Sequence, residues 1–245
     1  MAAQAILQDL SLCMGCQGCR VACQMQNRLT PEDVYVKFRF LERGSYPQVT
    51  ETLSRFACQH CREAACVKAC PTGAVYKGKS GLTHYRSDKC SGCGYCAEEC
   101  PFGIPEIKND QGVRCTGCET LTENGKPSAC VQTCIAGALS FGAREKMLNK
   151  AEQRVAAIRG QFPDARVYSP EGVGTTNLIW VLREKPEVYG LPARPQVAAS
   201  LGIWKDLQSL PRVPMTAGMI VGGISFVIAR RNHLREMHDT TREEK

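Results

Sequence analysis

Sixteen cysteines in a chain of 245 residues constrain its fold and chemistry more than any other feature. They fall into four groups of four: Cys13, Cys16, Cys19 and Cys23; Cys58, Cys61, Cys66 and Cys70; Cys90, Cys93, Cys96 and Cys100; Cys115, Cys118, Cys130 and Cys134. The first and third groups have the spacing C-x2-C-x2-C-x3-C, and a proline follows the last cysteine of the second and third groups. Such repeated spacing indicates that the cysteines of a group act together, as ligands or as bridges.

Three kinds of site use cysteines at these spacings. Disulfide frameworks are typical of short secreted chains, and cysteines two residues apart rarely reach unstrained disulfide geometry. Structural zinc uses two CxxC pairs joined by a longer spacer, an arrangement that the group from Cys115 to Cys134 shares. Three thiols in one tight loop with a fourth close behind form the [4Fe–4S] run of bacterial ferredoxins. We therefore predict four [4Fe–4S] clusters, and zinc stays an alternative, above all for the fourth group.

In a ferredoxin run the fourth cysteine ligates the other cluster of a pair, and we expect it to begin a helical turn that points away from the loop. The second and third groups then form an inner ferredoxin-like unit at about residues 56–105, enclosed by an outer unit of the first and fourth groups. The expected ligand sets of the inner unit are Cys58, Cys61, Cys66 and Cys100, and Cys90, Cys93, Cys96 and Cys70. Those of the outer unit are Cys13, Cys16, Cys19 and Cys134, and Cys115, Cys118, Cys130 and Cys23.

Sixteen thiolates supply four ligands to each of four clusters, which leaves no iron open to substrate and no cysteine as a nucleophile. The cysteine pattern therefore predicts a protein that transfers electrons one at a time and has no catalytic site. Positive charge near a cluster raises its potential, although side chains at such positions are more often merely solvated. The basic residues close to ligands are Arg20, Arg62, Lys68, Lys89 and Arg114. The histidines, His60, His84, His233 and His238, are interpreted as structural or solvated.

Periodicity predicts an α+β fold in which short strands accompany the cluster loops. The expected strands of the four-cluster domain, residues 1–142, are 34–40, with a turn at 44–47, then 74–76 and 138–141. An extension at residues 143–197 follows this domain. Its expected elements are a helix over 143–159, a hairpin of 166–169 with 177–183, and an extended arm at 186–195 that lies on a neighbouring surface.

Residues 213–229 contain no charged side chain and are flanked by arginines. Seventeen residues are the short end of a membrane-spanning helix, and a buried core helix is the alternative interpretation. Gly218 and Gly222 form a small-xxx-small face of the kind that packs on another transmembrane helix. We therefore predict a single span, preceded by an interfacial segment at 198–212 and followed by a polar tail at 230–245.

Charge predicts how this span is oriented. Five basic residues follow the span and three precede it within about twenty residues, which puts the C-terminus in the cytoplasm and the clusters on the outer, periplasmic face of the cell membrane. Residues 1–12 show no export signal, so we expect the folded chain to cross the membrane with a signal-bearing partner. The net charge of +7 is spread without a dense basic block, and no nucleic-acid partner is predicted.

Three segments of the extension narrow the class of protein further. They are Ala151-Glu152-Gln153-Arg154-Val155, Tyr168-Ser169-Pro170-Glu171-Gly172-Val173-Gly174 and Tyr189-Gly190-Leu191-Pro192. With the single C-terminal span, they resemble the iron–sulfur (beta) subunit of membrane-bound, quinone-linked formate dehydrogenase. The cluster half alone resembles the four-cluster subunits of many molybdenum and tungsten oxidoreductases. The chain departs from the family pattern in Ile135, where proline is usual, in a shorter N-terminus and in a basic tail.

The resemblance implies a complex. A catalytic subunit with a molybdenum or tungsten bis-pterin would oxidise formate, and this chain would relay the electrons through four clusters to a membrane subunit, usually a b-type cytochrome, that reduces quinone. Three alternatives stay open. One is the same relay in a hydrogenase or in a polysulfide, thiosulfate or sulfoxide reductase; the others are a soluble polyferredoxin without fixed partners and a zinc scaffold.

Overall fold

The structure is a computed structural model that describes residues 3–198 and 201. Contacts divide the chain into two compact units, Met1–Leu201 and Gly202–Lys245, and the described residues belong to the first. No helix among the described residues is both long and apolar enough to cross a membrane. The predicted span at 213–229, the polar tail and most of the interfacial segment lie outside these residues.

The described part of the chain mixes short helices with short strands, as an α+β fold requires. Its strands are β1 (Gln4–Asp9), β2 (Lys37–Ser45), β3 (Gln48–Phe56), β4 (Val75–Lys77), β5 (Thr83–Tyr85), β6 (Glu106–Lys108), β7 (Gln111–Val113), β8 (Leu139–Ala143), β9 (Arg166–Tyr168) and β10 (Leu178–Leu182). Its α-helices are α1 (Gly18–Asn27), α2 (Ala65–Lys68), α3 (Tyr95–Glu98), α4 (Glu119–Thr122), α5 (Ala129–Gln132) and α6 (Arg144–Ile158).

A four-stranded sheet of order β8-β1-β10-β9 forms the platform of the molecule. β1 pairs in parallel with β10 and antiparallel with β8, and β9 pairs antiparallel with β10. The N-terminal strand is therefore held between two strands that come from the end of the cluster region and from the extension. The predicted segments 1–142 and 143–197 share this one sheet.

Alternation along β10 sends its side chains to two different cores, although all five residues are buried. On one face Ile179 and Val181 pack with the apolar stripe of α6. On the other face Leu178, Trp180 and Leu182 pack in a cluster that also contains buried cysteines of the first group. The sheet thus lies between α6 and the thiols of the predicted outer unit.

Several expected elements are present. The helix predicted over 143–159 is α6, and it buries Met147, Ala151, Val155 and Ile158 as its periodicity requires. The hairpin predicted from 166–169 and 177–183 is the β9–β10 pair. The short strands expected at 74–76 and 138–141 are β4 and β8, each displaced by one or two residues.

Two expectations were wrong. The strand predicted over 34–40 begins at Lys37 and runs to Ser45, because it pairs along its whole length with β3, a strand that the sequence pattern did not indicate. The arm predicted at 186–195 does not lie extended on a neighbouring surface. Residues Pro186–Tyr189 form a 3-10 turn, and Tyr189 and Leu191 are buried in this chain's own core.

A partly buried carboxylate ties the β4–β5 hairpin to the loop that carries the fourth cysteine group. Oε1 of Glu123 accepts hydrogen bonds from Ser80 Oγ at 2.6 Å and from His84 Nε2 at 2.8 Å, and Oε2 accepts the backbone N–H of Lys79 at 2.9 Å. The other ring nitrogen of His84 lies 2.9 Å from the carbonyl oxygen of Thr116. Burial opposes the carboxylate charge, but the hydrogen bonds outweigh it and lower the pKa of Glu123 to about 2.

We expect Glu123→Gln to destabilise the protein at neutral pH by about 1–3 kcal/mol, because the variant loses charged hydrogen bonds to buried donors. A carboxyl whose folded pKa lies below its unfolded value stabilises the fold above the unfolded pKa, and this contribution is lost as the pH falls toward the folded pKa. The parent should therefore lose stability faster than the variant between about pH 5 and pH 3. The rate of iron release at a fixed urea concentration, followed across this pH range, measures this. The exposed Glu152→Gln is the control, and parallel curves for parent and Glu123→Gln would contradict the prediction.

Candidate electron-transfer site

Short helices position two cysteines of each group. The third cysteines, Cys19, Cys66, Cys96 and Cys130, lie in α1, α2, α3 and α5. The fourth cysteines Cys70, Cys100 and Cys134 each follow the end of a helix by two residues, and Cys23 lies inside the longer α1. The expectation that the fourth cysteine begins a helical turn was wrong: it lies two residues after the end of a helix in three groups and inside α1 in the first group.

The groups cross in space. We number the resulting assemblies site I (Cys13, Cys16, Cys19, Cys134), site II (Cys23, Cys115, Cys118, Cys130), site III (Cys58, Cys61, Cys66, Cys100) and site IV (Cys70, Cys90, Cys93, Cys96). The four thiols of site I line one pocket, and those of site II line another. Proximity within the outer unit therefore follows the crossed sets and not the order of the sequence.

Electrostatic neighbours point to the same crossing. Burial raises the pKa of the Cys23 thiol, and the charges of its three site II partners raise it further. In the inner unit, burial raises the pKa of Cys61, and Cys58, Cys66 and Cys100 add to the shift. Cys70 lies close enough to Cys90 and Cys96 to affect both of their pKa values. Such thiols can all be thiolates at once only when a cation or a cluster lies between them.

The spacing of the sulfurs distinguishes a single metal ion from a larger cluster. A zinc ion binds each thiolate sulfur at about 2.3 Å, so its ligands must converge closely. Within residues 3–198 and 201, which include all sixteen cysteines, no three cysteine, histidine or acidic side chains converge in this way. The four thiols of site I and the four of site II instead line the walls of separate pockets without converging on one point. This arrangement fits a cubane cluster and does not fit zinc.

The loops wrap the first sulfur of each group with backbone. The residue two positions after the first cysteine has a left-handed backbone in all four groups, with φ of 71° at Gly15, 48° at His60, 68° at Gly92 and 67° at Gly117. Its N–H donates to the sulfur of that first cysteine, at 3.4 Å for His60 and 3.3 Å for Gly117. Burial raises the pKa of the Cys13 thiol, and the backbone hydrogen bond from Gly15 opposes this shift. At Cys90 burial is outweighed by the hydrogen bonds from Tyr85 and Gly92, which lower the pKa of the thiol. Such donors stabilise a thiolate.

A buried arginine lies between the two sites of the inner unit. Arg114 is 1% exposed and donates from Nη2 to Cys66 Sγ at 3.5 Å. Its Nε and Nη1 have no hydrogen-bond partner among the described residues, so the guanidinium has donors left for acceptors such as cluster sulfides. Burial opposes its charge, but the thiolates of Cys66 and Cys58 raise the pKa of Arg114 well above its usual range. The expectation that such residues are merely solvated was wrong for Arg114.

Arg55 has the corresponding place in the outer unit. It is 2% exposed, donates from Nε to Cys19 Sγ of site I at 3.3 Å, and is held by the side chain of Gln8 at 2.7 Å. Burial opposes its charge, and the thiolates of Cys130 and Cys19 overcome this and raise its pKa. A fixed positive charge between two sites favours the addition of an electron at either of them.

The four sites follow one another in a row. Arg55 lies between sites I and II, Arg114 lies between sites III and IV, and His60 lies between sites II and III. The cysteines classed as exposed are Cys16 and Cys93, which belong to sites I and IV. Each end of the row thus has an exposed thiol, and the cysteines of the middle sites are buried or partly buried.

Comparison with known proteins agrees with this geometry. A family described as a 4Fe-4S dicluster domain matches residues 50–144. The iron–sulfur subunit of a formate dehydrogenase from Haemophilus influenzae is 36% identical over 91% of this chain and 77% of its own length. The iron–sulfur subunit of the nitrate-inducible formate dehydrogenase from Escherichia coli is 38% identical over 82% of this chain and 76% of its own length.

This chain belongs to the family of formate dehydrogenase iron–sulfur subunits. These relatives are electron-transfer subunits and not catalytic ones, and this chain is accordingly an electron-transfer subunit. A more distant relative, the thiosulfate reductase electron transfer subunit of Salmonella typhi, is 38% identical over 56% of this chain and 74% of its own length. The family assignment therefore rests on matches that extend beyond the cluster half.

Sequence reasoning missed two cations near the thiols in this member of the family, the buried Arg55 and the half-buried Lys77. Arg55 lies on β3, far along the chain from the cysteines that it contacts, and Lys77 lies on β4, where burial lowers its pKa while the thiolates of Cys58 and Cys61 oppose the shift. A basic residue next to an aromatic one in a strand was the available signal. His60 and His84 are 2% and 0% exposed, so both are structural and neither is solvated.

Proposed function

We propose that this chain is the electron relay of a membrane-bound formate dehydrogenase complex. Sites I to IV would each bind one [4Fe–4S] cluster through the four cysteines of the site, and these clusters would supply one-electron transfer when bound. The observation that carries the proposal is the row of four thiol sites, whose end members alone include an exposed cysteine among the sixteen described. A row with two exposed ends suits transfer between two partners.

The protein around the row supports this role. Arg55 and Arg114 would hold positive charge between neighbouring sites, and the backbone N–H groups of the cysteine loops would donate to the ligand sulfurs. Both effects favour the reduced form, so that each site accepts an electron more readily. The covered middle sites would keep electrons away from water and from unrelated acceptors.

The proposed partners follow from the relatives. A catalytic subunit with a molybdenum or tungsten bis-pterin would deliver electrons from formate at one end of the row. A membrane subunit of the cytochrome b type would take them at the other end and reduce quinone. Relatives named as formate dehydrogenase subunits cover 91% and 82% of this chain, which favours formate as the source of electrons.

Membrane attachment is a proposal from sequence. Residues 213–229 would form a single span that packs through Gly218 and Gly222 on the membrane subunit. The excess of basic residues after the span would keep the C-terminus in the cytoplasm and the clusters on the periplasmic face.

A second candidate is the same relay in a different complex, such as a hydrogenase or a polysulfide, thiosulfate or sulfoxide reductase. The similarity to a thiosulfate reductase electron transfer subunit favours it. That similarity covers 56% of this chain, against 91% for a formate dehydrogenase subunit, so formate is the preferred assignment.

Isolation of the complex from its native membrane tests the proposal. We expect this chain to stay in the membrane fraction after a high-salt wash, to copurify with a pterin-containing subunit, and to contain about sixteen irons. Anaerobic addition of formate should reduce its clusters, as measured by EPR, and a quinone analogue should reoxidise them. Reduction by hydrogen and not by formate, or reoxidation by thiosulfate or a sulfoxide and not by the quinone, would assign the chain to the second candidate.

A further inference from the structure

His60 occupies a position at which the other three cysteine loops have glycine. Gly15, Gly92 and Gly117 stand two residues after the first cysteine of their groups, and all share the left-handed backbone of His60. A side chain rarely adopts this conformation, so a histidine here is strained relative to glycine. At Gly92 and Gly117 an added Cβ would also come within 2.7 Å of backbone atoms, whereas at position 60 the fold has made room for a ring.

The ring of His60 is buried and its orientation is fixed. The imidazole is 2% exposed, and its Nδ1 accepts the backbone N–H of Thr83 at 3.1 Å. A ring nitrogen that accepts a hydrogen bond bears no proton, so the proton of the neutral imidazole is on Nε2. Nε2 lies 3.9 Å from Cys115 Sγ, and the ring lines the same cavity as the four thiols of site II. The N–H of the ring therefore faces a thiol of the outer unit.

The backbone of His60 contacts the inner unit. Its N–H donates to Cys58 Sγ of site III, as the glycines do in their own loops. One residue therefore contacts sulfurs of both ferredoxin-like units, at the place where sites II and III adjoin.

We propose that His60 is a positioning residue that couples the two middle clusters by donating from its ring to the Cys115 thiolate and from its backbone to the Cys58 thiolate. The inference rests on the proposed function, because it requires clusters at sites II and III. A hydrogen bond to a ligand sulfur raises a cluster's potential. The ring would therefore make the transfer of an electron from site III to site II more favourable, at the junction between the units.

His60→Gly in the full complex tests this, because glycine keeps the backbone donor to Cys58 and restores the residue type of the other loops. We expect this chain to retain about sixteen irons. One of its four cluster midpoint potentials should fall. For that cluster, the ratio of reduced to oxidised form at a given ambient potential should drop about tenfold, which corresponds to 59 mV for a one-electron couple. EPR-monitored redox titration measures this. The shifted signal should be the one that disappears in Cys130→Ser.

His60→Gln is the rescue variant, because its amide can accept from Thr83 and donate toward Cys115. It should return the lowered potential toward that of the parent. Four unchanged potentials in His60→Gly, or a fall only in the signal that disappears in Cys61→Ser, would overturn the proposal. If His60→Gly loses a cluster, the properties of His60→Gln test the proposal instead. About sixteen irons with the potentials of the parent would support the role of the ring as a donor. Fewer irons or a lowered potential would overturn it. A parent with far fewer than sixteen irons would instead refute the proposed function itself.

Discussion

Replacing Cys100 with serine is expected to remove the cluster of site III, although Cys100 belongs by sequence to the run that begins at Cys90. The thiol of Cys100 adjoins those of Cys58 and Cys66, and the helix α3 separates it from its neighbours in the run. The iron content should fall from about sixteen to about twelve per chain, because each cubane contains four irons. Electron transfer from formate to quinone should fall at least about 100-fold, because the row is broken in its middle.

Paired variants separate crossed from uncrossed ligation. Cys58→Ser should lose the same EPR signal as Cys100→Ser, and the double variant should keep about twelve irons, because both changes affect one cluster. Cys70→Ser should lose the signal of site IV, and its combination with Cys58→Ser should leave about eight irons. A shared signal for Cys100→Ser and Cys93→Ser would show that the run ligates a single cluster, and the crossed assignment would be wrong.

Replacing Trp180 with alanine is expected to lower the free energy of unfolding by about 3–5 kcal/mol. Trp180 is fully buried in the central strand β10, its ring lies edge-on to Phe56 at 6.2 Å, and its Nε1 donates to Gln59 Oε1 at 2.7 Å. The substitution would leave a large cavity and an unpaired buried amide oxygen.

The position of Trp180 predicts which clusters are lost first in the Trp180→Ala variant. The ring packs in the same apolar cluster as Cys19 and Cys23 of sites I and II, whereas Cys66 and Cys96 of sites III and IV pack in a separate one. Iron should therefore leave the outer unit first. Because cluster loss makes unfolding irreversible, the measurement is the rate of iron release at a fixed urea concentration, with EPR to identify the sites.

Trp180→Phe is the matched control for this prediction. Phenylalanine keeps most of the apolar contact and loses only the hydrogen bond to Gln59, so its destabilisation should be about 1–3 kcal/mol. Equal release rates for the two variants, or earlier loss of iron from sites III and IV, would contradict the assignment of Trp180 to the support of the outer unit.

Cysteine spacing predicts which thiols of a run lie together because ligand runs are local in sequence, and the crossed ligation of the fourth cysteine stays a prediction. The periodicity of residues 143–159 likewise predicted α6, because an apolar stripe on one face specifies a helix that packs on a core. The β9–β10 hairpin was predictable for a similar reason, since its turn residues lie between two apolar runs.

Expectations failed where a segment takes its structure from the element that it packs against and not from its own pattern. β3 is a strand because it pairs with β2, and the arm at 186–195 folds back because Tyr189 and Leu191 find a core that earlier segments build. Neither the pairing partner nor that core can be recognised in the local pattern.

The sequence by itself determined the family of the chain and its character as an electron-transfer protein, and it predicts the number and kind of ligands, because these depend on residue types at short spacings. Tertiary structure alone decided which cations and which histidine stand between the sites. Arg55, Arg114 and His60 reach their thiols from different strands and loops, and the low polarity of the interior gives their charges and N–H groups a strength that they would lack in water.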